Sequence, residues 1–433
     1  MEKAANFTPE HIPRLQALLK FALAEDKPEF YRRKYSGLRT TITSYQDLAG
    51  LPPLDKSEIS GTDWRELLFI EESKVDHFAF SSGTTGRPMI VPRLAEDGRS
   101  GTVASTLDPE LLGELGVRRI MLFISPFSPI AALAASLSVP GLRYIPGDIR
   151  NPELTARLAS QLAVDGFHTT PTGLVLLLQA YKKLGLDTGG IKWVSLGAEG
   201  TSKAKYAYFR DKLPRAHFNF RLASAELGSG RFFRCRHLEG DPSIFHIVPG
   251  SHILEILRED GTLCGFGETG EMVHTDLLLP KAFPYLRYRT GDDSSLERCV
   301  CPCGSPWLLR LDGRRGFNRL KLAGVTITEE IVEAALARAA DFVKMDFRLR
   351  ASEELSGESP LPALELTLIP LKTAAPFLAE NLARILEDAM SLTPTRTLGD
   401  LVKEGAFAPL SVKFTDAFPP GDGKPRKIFS KPD

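Results

Sequence analysis

The sequence of 433 residues has no excess charge of either sign, because 54 Lys and Arg residues are balanced by 54 Asp and Glu residues. A chain without net charge has no long-range attraction to nucleic acid or to an anionic membrane, which argues against a general polyanion-binding protein. The sequence also lacks an apolar run of the roughly eighteen residues that a membrane-spanning helix needs. Its first residues lack the apolar core of a secretory signal. Together these absences predict a cytoplasmic protein.

Cysteine is scarce as well, with five residues in the whole chain, and so few cysteines in a chain of this length do not form a disulfide framework. There is no internal repeat and no low-complexity tract. Hydrophobic residues make up 43% and charged residues 25% of the sequence, a composition typical of an ordered globular protein. At roughly 150 residues per domain, the length predicts two or three domains.

Short apolar runs alternate with helix-like segments from about residue 118 onward. The runs that read as strands are Ile120–Ile124, Leu142–Ile145, Phe167–Thr170 and Lys192–Leu196. The segments with helical periodicity are Ile130–Leu137, Pro152–Val164, Gly173–Leu184 and Ser202–Leu213. This alternation predicts a parallel sheet with right-handed crossovers.

The pattern changes after Phe218, where short strand-like runs are separated by Gly, Pro and Asp turns. These runs are Ile244–Val248, Ile253–Leu257, Glu271–Thr275 and Tyr285–Tyr288, and they predict an antiparallel or β-barrel-like subdomain. A boundary follows near Gly313–Gly316. The sequence therefore predicts an α/β protein with a large N-terminal domain, residues 1–315, that combines parallel α/β sheets with the β-barrel-like subdomain. A small α+β C-terminal lobe, residues 316–433, completes the chain.

The sharpest local signal is an eight-residue segment between two strand-like runs, His77–Phe80 and Met89–Val91. It consists of Ser81, Ser82, Gly83, Thr84, Thr85, Gly86, Arg87 and Pro88. Glycines let backbone N–H groups approach phosphate oxygens, hydroxyls donate further hydrogen bonds, and an arginine supplies charge-assisted ones. The segment does not have the spacing of a Walker A loop. It predicts a polyphosphate-binding loop, with a polar hairpin turn as the alternative.

These eight residues resemble the phosphate loop of the adenylate-forming superfamily, which comprises acyl-CoA synthetases, luciferases and peptide-synthetase adenylation domains. Further segments resemble that family's motifs in the same order: Gly197-Ala198-Glu199, Leu222–Glu226, Tyr288–Asp292 and Gly423-Lys424. The Cys-Pro-Cys-Gly run at Cys301 and the Tyr-Leu-Arg-Tyr-Arg-Thr-Gly-Asp run at Tyr285 look most like the phenylacetate–CoA ligase branch. The resemblance covers nearly the whole chain.

The resemblance implies a role for each matching residue. Nucleotide binding is assigned to the loop residues Ser81–Gly86 and to Gly197, Ala198, Glu199, Ala225, Asp292 and Arg314. Catalysis is assigned to Lys424, Glu226 and Arg87, with Lys427 as the alternative lysine. Glu226 would also hold Mg²⁺, which prefers hard oxygen ligands. His168 falls where the family lines its acyl pocket and would orient the substrate carboxylate, the alternative being a satisfied histidine at a strand end.

Several positions depart from the family pattern. Leu222 replaces the tyrosine that stacks on adenine and Ala225 replaces a threonine, which predicts relaxed nucleotide affinity. The hinge near Arg314 lacks the family's Asp pair, which predicts that thioester formation is slower than adenylation. Residues 126–129 replace an aromatic-rich stretch, which argues against phenylacetate itself as the substrate.

The resemblance thus predicts an ATP- and Mg²⁺-dependent, AMP-forming acid–thiol ligase. It would form an acyl-adenylate from a small carboxylic acid and then an acyl-CoA thioester. Alternative acceptors are a carrier protein or an amine. A rival from another class is a non-catalytic nucleotide- or zinc-binding homologue, against which the joint retention of Lys424, Glu226 and Asp292 argues. Neither nucleic acid nor membrane is expected as a partner, and a homodimer is an option.

Four residues are candidates for a structural zinc site: Cys235, His246, Cys301 and Cys303. A Cys-Pro-Cys-Gly turn can aim two thiolates at one point, and three sulfurs with one imidazole form a common closed zinc site. Cys299 and His237 are the substitutes, and buried free cysteines without metal are the alternative. A closed site would join two loops of the β subdomain and would not catalyse.

Overall fold

The architecture is taken from a computed structural model. It describes residues 4–80, 89–94, 109–124, 141–198, 200–201, 203–228, 231–238, 240–314, 319–339, 342–356, 359–371, 376–393, 395–418 and 428–430. The phosphate-loop candidates 81–88, the helix expected at 130–137, Glu199, the hinge residues 315–318 and both candidate lysines, 424 and 427, lie outside these ranges.

Short helices make up most of residues 9–60. Thr8 precedes a 3-10 turn at Pro9–His11, and the helices that follow are α1 (Ile12–Ala22), α2 (Phe30–Lys34), α3 (Tyr45–Ala49) and α4 (Lys56–Ser60). Leu15, Leu18 and Leu19 are buried on one face of α1, where their spacing of three and four residues places them. This face packs into a core with the aromatic residues Tyr31 and Phe69.

Strands β1 (His77–Phe80) and β2 (Ile90–Arg93) form an antiparallel pair in which Phe80 is opposite Ile90. In sequence, the predicted phosphate loop, residues 81–88, follows β1 and precedes β2. The two flanking strand-like runs are confirmed as strands.

A five-stranded parallel sheet forms the centre of the fold, in the order β4-β3-β5-β6-β7. Its strands are β3 (Arg119–Phe123), β4 (Arg143–Pro146), β5 (Gly166–Thr169), β6 (Trp193–Leu196) and β7 (His217–Phe220). The described helices around it are α5 (Pro109–Glu114), α6 (Pro152–Gln161), α7 (Pro171–Lys183) and α8 (Lys203–Lys212). Every strand pair is parallel, which confirms the predicted mixed α/β fold.

Two of these helices begin in the same way. Asn151 accepts a hydrogen bond from the Leu154 N–H at the start of α6, and Thr170 accepts one from the Gly173 N–H at the start of α7. A proline follows each capping residue and supplies the backbone angle of a first helical turn. The sequence thereby fixes where the chain leaves each strand and turns into a helix.

A six-stranded antiparallel sheet follows, in the order β10-β11-β12-β13-β9-β8. Its strands are β8 (Phe232–Phe233), β9 (Ile244–Ile247), β10 (His252–Leu257), β11 (Gly270–Asp276), β12 (Tyr288–Arg298) and β13 (Trp307–Arg314). The predicted strand over Tyr285–Tyr288 is wrong, because β12 begins only at Tyr288. Arg287, at φ 49°, has a left-handed backbone that interrupts any extended run before it.

The C-terminal part contains a four-stranded sheet in the order β20-β17-β16-β21. The four strands of this sheet are β16 (Val343–Ser356), β17 (Ser359–Pro370), β20 (Ser411–Phe414) and β21 (Ile428–Ser430). Two further strand pairs are β14 (Arg319–Leu322) with β15 (Val325–Thr328), and β18 (Ser391–Thr393) with β19 (Arg396–Thr397). The described helices of this part are α9 (Glu329–Leu336), α10 (Pro376–Ala389) and α11 (Leu398–Lys403). Phe347, Leu366 and Leu382 belong to a core cluster made wholly of residues after 319. None of the helices in the described ranges has the length and apolarity needed to cross a membrane.

Candidate active site and cysteine cluster

The carboxyl ends of β6 and β7 lie at one edge of the parallel sheet. The candidates Gly197 and Ala198 follow β6, and the candidate segment Leu222–Glu226 begins two residues after β7. Gly197, directly after β6, donates its N–H to the Thr169 carbonyl at 3.2 Å, and Arg221, directly after β7, donates its N–H to the Leu196 carbonyl at 2.8 Å. Ligands of open α/β sheets bind outside this edge. Ala198 has φ 67°, an uncommon backbone conformation for a residue with a side chain and one found at functional loops.

Glu226 lies in the turn that follows this edge and is only 7% exposed. Its Oε1 atom accepts a hydrogen bond from the Lys56 ammonium at 3.0 Å and one from the Tyr288 hydroxyl at 3.1 Å. Burial alone would raise the pKa of this carboxyl group, but Lys56 and Tyr288 outweigh burial and hold the pKa below its ordinary value. Glu226 is therefore an anion at neutral pH.

The donor set at Glu226 fits one position of a magnesium site. Oε1 is engaged by Lys56 and Tyr288, whereas Oε2 accepts no hydrogen bond from the described residues. A buried, charged carboxylate with one uncommitted oxygen is the kind of hard ligand that Mg²⁺ takes together with phosphate oxygens and water.

Arg93 connects strand β2 to the turn that contains Glu226. It is the last residue of β2, it is 6% exposed, and its guanidinium donates a hydrogen bond to the Ala225 carbonyl. Gly228, at φ +70°, lies beside this guanidinium, where an added Cβ would approach Nη1 to 3.3 Å. The strand that leaves the 81–88 segment is thus anchored one residue from Glu226.

Asp292 and Arg314 are backbone register partners on two neighbouring strands. The register of β12 with β13 pairs Asp292 with Arg314, and Gly291 supplies a φ of 71° immediately before the aspartate. The Thr290 hydroxyl accepts a hydrogen bond from the Asp292 N–H at 3.1 Å and donates one to the Met272 carbonyl at 2.8 Å. The part of β12 that carries the predicted ribose-binding carboxylate is therefore held in place by Thr290.

His168 lies on β5, buried at 4% exposure, with Leu122 and Ser195 beside it in the sheet register. Burial, assisted by the nearby Arg221 cation, lowers the pKa of His168 to about 3, so the imidazole is neutral at physiological pH. Leu222, the departure at the adenine-stacking position, packs instead against the main hydrophobic core.

The four predicted zinc ligands come together in the antiparallel sheet. The ligand atoms of Cys235, His246, Cys301 and Cys303 all lie within 4.8 Å of one another, and the Cys235 and Cys301 sulfurs are 3.5 Å apart. Phe233 and His246 are partners between β8 and β9. Leu309 and Phe245 are partners between β13 and β9, so three strands bring the ligands to one place.

This cluster fits a tetrahedral zinc ion. At the usual Zn–S bond length, two sulfurs of a tetrahedral site lie about 3.8 Å apart, close to the spacing found. His246 directs Nδ1 to the Trp307 carbonyl at 2.8 Å, while its buried Nε2 has no hydrogen-bond partner. That arrangement orients an imidazole for ligation. The substitute Cys299 instead points to the Ser305 carbonyl at 3.3 Å.

Burial, together with the neighbouring Cys301 and Cys303, raises the pKa of the Cys235 thiol to about 12. In the absence of a metal this thiol is therefore protonated at neutral pH. A bound cation would reverse this, because a coordinating thiol is deprotonated.

Lys56, Arg93 and Arg221 were not among the candidates from sequence. Lys56 follows the Asp55 cap of α4, Arg93 lies in an ordinary strand, and Arg221 precedes a recognised segment without belonging to it. Nothing local marks them, since each acts by contacting a residue distant in sequence. The carbonyl of Ala225, for example, lies 132 residues from Arg93.

No protein-family model matches the chain. Among curated proteins, a phenylacetate–coenzyme A ligase from Thermus thermophilus is 24% identical, over 92% of this chain and 92% of that protein. A phenylacetate–coenzyme A ligase from Aromatoleum evansii is 24% identical over 69% of this chain and 67% of that protein.

Two solved structures share the fold. A 2-hydroxyisobutyryl-CoA ligase in complex with 2-HIB-AMP and CoA matches with a TM-score of 0.69 at 17% identity, over 97% of this chain and 88% of that chain. An amide bond synthetase from Marinactinospora thermotolerans matches with a TM-score of 0.51 at 16% identity, over 82% of this chain and 69% of that chain.

Proposed function

We propose that this chain, a member of the adenylate-forming superfamily in its phenylacetate–CoA ligase-like branch, is an AMP-forming acid–CoA ligase. It activates a carboxylic acid with ATP, forming an acyl-adenylate and pyrophosphate. It then transfers the acyl group to coenzyme A.

One observation carries this proposal above the others. The Tyr288 hydroxyl, at the start of the Tyr-Arg-Thr-Gly-Asp motif, donates to Glu226 across 62 residues of sequence. Two motifs that the sequence links only by resemblance therefore meet in space, and Asp292 is four residues beyond Tyr288. This contact supports the proposal that Glu226, as a ligand of a phosphate-bound cation, and Asp292, as a ligand of ribose hydroxyls, belong to one site.

In the first step, a substrate carboxylate oxygen attacks the α-phosphorus of ATP and pyrophosphate leaves. Glu226 would hold Mg²⁺, which neutralises phosphate charge when bound. Residues Ser81–Gly86 would bind the phosphates by backbone and hydroxyl donors. Arg87 and Lys424 would stabilise the charge that develops between the carboxylate and the α-phosphate. In the second step, the thiol of coenzyme A attacks the acyl carbonyl and AMP leaves.

The experiment is a pyrophosphate-release screen over a library of acids, with and without coenzyme A, on wild-type protein and on Lys424→Ala and Lys427→Ala. We expect Lys424→Ala to slow acyl-AMP formation strongly while ATP binding is kept, because the lysine acts mainly in the transition state. If Lys424→Ala forms acyl-AMP at the wild-type rate and Lys427→Ala does not, then Lys427, and not Lys424, is the catalytic lysine. Adenylation without any thioester would favour an amine or a carrier protein as the acceptor, and no pyrophosphate from any acid would favour the non-catalytic homologue.

We also propose a division into an N-terminal domain, 1–315, with a barrel-like β subdomain, and a mobile C-terminal lobe, 316–433, that brings Lys424 to the site. The separate hydrophobic core after residue 319 supports this division. The missing Asp pair near Arg314 predicts that acyl-AMP accumulates when coenzyme A is supplied with a poor acid. Single-turnover decay of acyl-AMP measures this, and rapid, stoichiometric thioester formation with every acid would contradict it.

The cysteine cluster supports a structural zinc site at Cys235, His246, Cys301 and Cys303. The buried, unpartnered Nε2 of His246 is its strongest support. We expect elemental analysis of protein purified without added metal to find about one zinc per chain. Cys301→Ser should lose it, and Cys299→Ser, the matched control outside the cluster, should keep it. If the purified protein contains no zinc and all five of its thiols react in the native state, the proposed zinc site does not exist.

A further inference from the structure

Arg221, at the edge of the parallel sheet, is a cation that forms no ion pair with the residues the structure describes. Among the described residues, no carboxylate lies within ion-pair distance of its guanidinium, and no hydrogen-bond acceptor is matched to its Nε atom. That atom is inaccessible to solvent, whereas the residue as a whole is partly exposed. Arg221 is thus enclosed at Nε and open to solvent elsewhere, and we refer to the sheet edge beside its guanidinium as the crevice.

Polar groups without partners share this crevice. The Tyr144 and Ser195 hydroxyls are both buried and unpartnered. Tyr144, His168 and Ser195 lie on one face of the sheet, as the pairing of Ile120 with Tyr144 and of His168 with Leu122 and Ser195 requires. Burial raises the pKa of Tyr144 and lowers that of His168, and the charge of Arg221 is close enough to both groups to oppose the first shift and to add to the second.

The position of Arg221 connects this crevice to the adenylation site. Its Cβ lies 3.4 Å from where a Cβ on Gly197 would be, so it borders the segment assigned to the adenine pocket. It reaches toward His168, the residue assigned to the acyl pocket. A partly buried guanidinium that no carboxylate of the described residues pairs with is unfavourable, and enclosure already lowers its pKa to about 10. An anionic ligand group in the crevice would remove that penalty.

We infer that the carboxylic acid activated by this chain carries a second anionic group, bound by Arg221 with the Tyr144 hydroxyl as a further donor. The inference rests on the proposed function and specifies its substrate class, a dicarboxylic acid or an acid of equivalent charge. His168 is neutral and leaves Arg221 as the source of positive charge in this part of the site. A monocarboxylic acid would leave the guanidinium unpaired and desolvated.

The test compares pairs of acids that differ in a second carboxylate: pentanoate with glutarate, and phenylacetate with 4-carboxyphenylacetate. Pyrophosphate release is measured with ATP and Mg²⁺ for wild-type protein, Arg221→Gln, Arg221→Lys and the exposed control Arg215→Gln. We expect the doubly anionic member to be preferred by wild-type protein. In Arg221→Gln its kcat/KM should fall about 100-fold, with the KM for ATP unchanged. Arg221→Lys should restore part of the preference, and Arg215→Gln should match wild type.

Each other outcome counts against the inference. Preference of the wild-type protein for the monoanionic member of every pair overturns it while leaving the proposed function intact. Suppose instead that Arg221→Gln lowers kcat/KM equally for both acids of a pair and raises the KM for ATP. The arginine then binds the nucleotide phosphates, and the inference is overturned. Absence of pyrophosphate release with every acid contradicts the proposed function and this inference together.

Discussion

Glu226 is the residue on which the chemistry of the site depends most. Its carboxylate is buried yet charged because Lys56 and Tyr288 hold it, and one of its oxygens remains for a cation. Replacing it with glutamine keeps the shape and removes the charge. We expect Glu226→Gln to slow acyl-AMP formation about 100-fold and to raise the Mg²⁺ concentration needed for half-maximal rate. Glu58→Gln on α4, where Glu58 pairs with Lys34, is the control and should change neither quantity.

Lys56 sets the pH range over which Glu226 is charged. The ion pair lowers the pKa of the carboxyl group, so removing the ammonium should raise it. We therefore expect Lys56→Met to move the acidic limb of the pH profile of kcat/KM to higher pH, because Glu226 becomes protonated sooner as the pH falls. An acidic limb that stays in place in Lys56→Met would show that another group controls it.

At the scale of residues, sequence predicted best where several chemistry-bearing side chains lie close together or follow a motif. The Cys-Pro-Cys turn identified Cys301 and Cys303, and a bracketing Cys and His completed the set that the fold brings within 4.8 Å. Lys56 and Arg221 could not be found in this way, because a single cation in sequence is ordinarily solvated. Only the fold shows that the guanidinium of Arg221 is enclosed.

The junction between β5 and α7 shows how tightly one element fits another. Thr169 donates its hydroxyl to the Phe123 carbonyl at 2.7 Å, and a Cβ on Gly173 would collide with that hydroxyl oxygen. Because the hydroxyl is fixed by its hydrogen bond, it cannot move away at little cost. We expect Gly173→Ala to lower the free energy of unfolding by about 1–3 kcal/mol, measured by urea denaturation.

The matched control for that substitution is Gly190→Ala. Gly190 is exposed, and an added Cβ there would meet no atom within 4 Å. We expect the urea midpoint of Gly190→Ala to equal that of the wild-type protein within error. Equal midpoints for both variants would mean that the turn into α7 relaxes more easily than the structure implies.

Elements with a simple hydrophobic pattern were the ones that sequence located well. The inner strands β5 and β6 of the parallel sheet are buried throughout their length, and so they stand out as short, mainly apolar runs. Strand β16 was not predicted, although Phe347, Leu349 and Ala351 alternate as buried residues. Charged residues occupy the positions between them, and the alternation becomes decisive only once β17 pairs along it.

Three buried histidines make the stability of the whole molecule sensitive to acid. His168, His252 and His274 are enclosed, and burial lowers the pKa of each below the usual 6.5, to about 3 for His168 and His274. Near His274, Arg231 and Lys281 oppose a further positive charge, and Asp276 only partly offsets them. All three are neutral in the folded protein at pH 7.

The sign of the effect follows from the direction of these shifts. Below pH 6.5 the unfolded chain binds protons that the folded chain does not, so stability present above pH 6.5 is lost as the pH falls toward 3. The free energy of unfolding should fall by about 1.4 kcal/mol per pH unit for each histidine in this range. We expect urea midpoints to fall steadily from pH 7 to pH 5, and His252→Gln to show a shallower slope than His77→Gln. Parallel slopes for the two variants would contradict this account.

The cysteine cluster also has a consequence for the order in which the chain is assembled. Cys235 and Cys301 are 66 positions apart, and at about 5–20 residues per second a ribosome needs roughly 3–13 s to make the intervening segment. For most of that interval β8 and β9 have been synthesised, but β13, the second neighbour of β9, has not. The newly made β9 therefore exposes an unpaired edge and a single thiol nearby until the Cys-Pro-Cys turn is translated. Production of intact protein should then depend on zinc supply during synthesis more than on zinc added after purification.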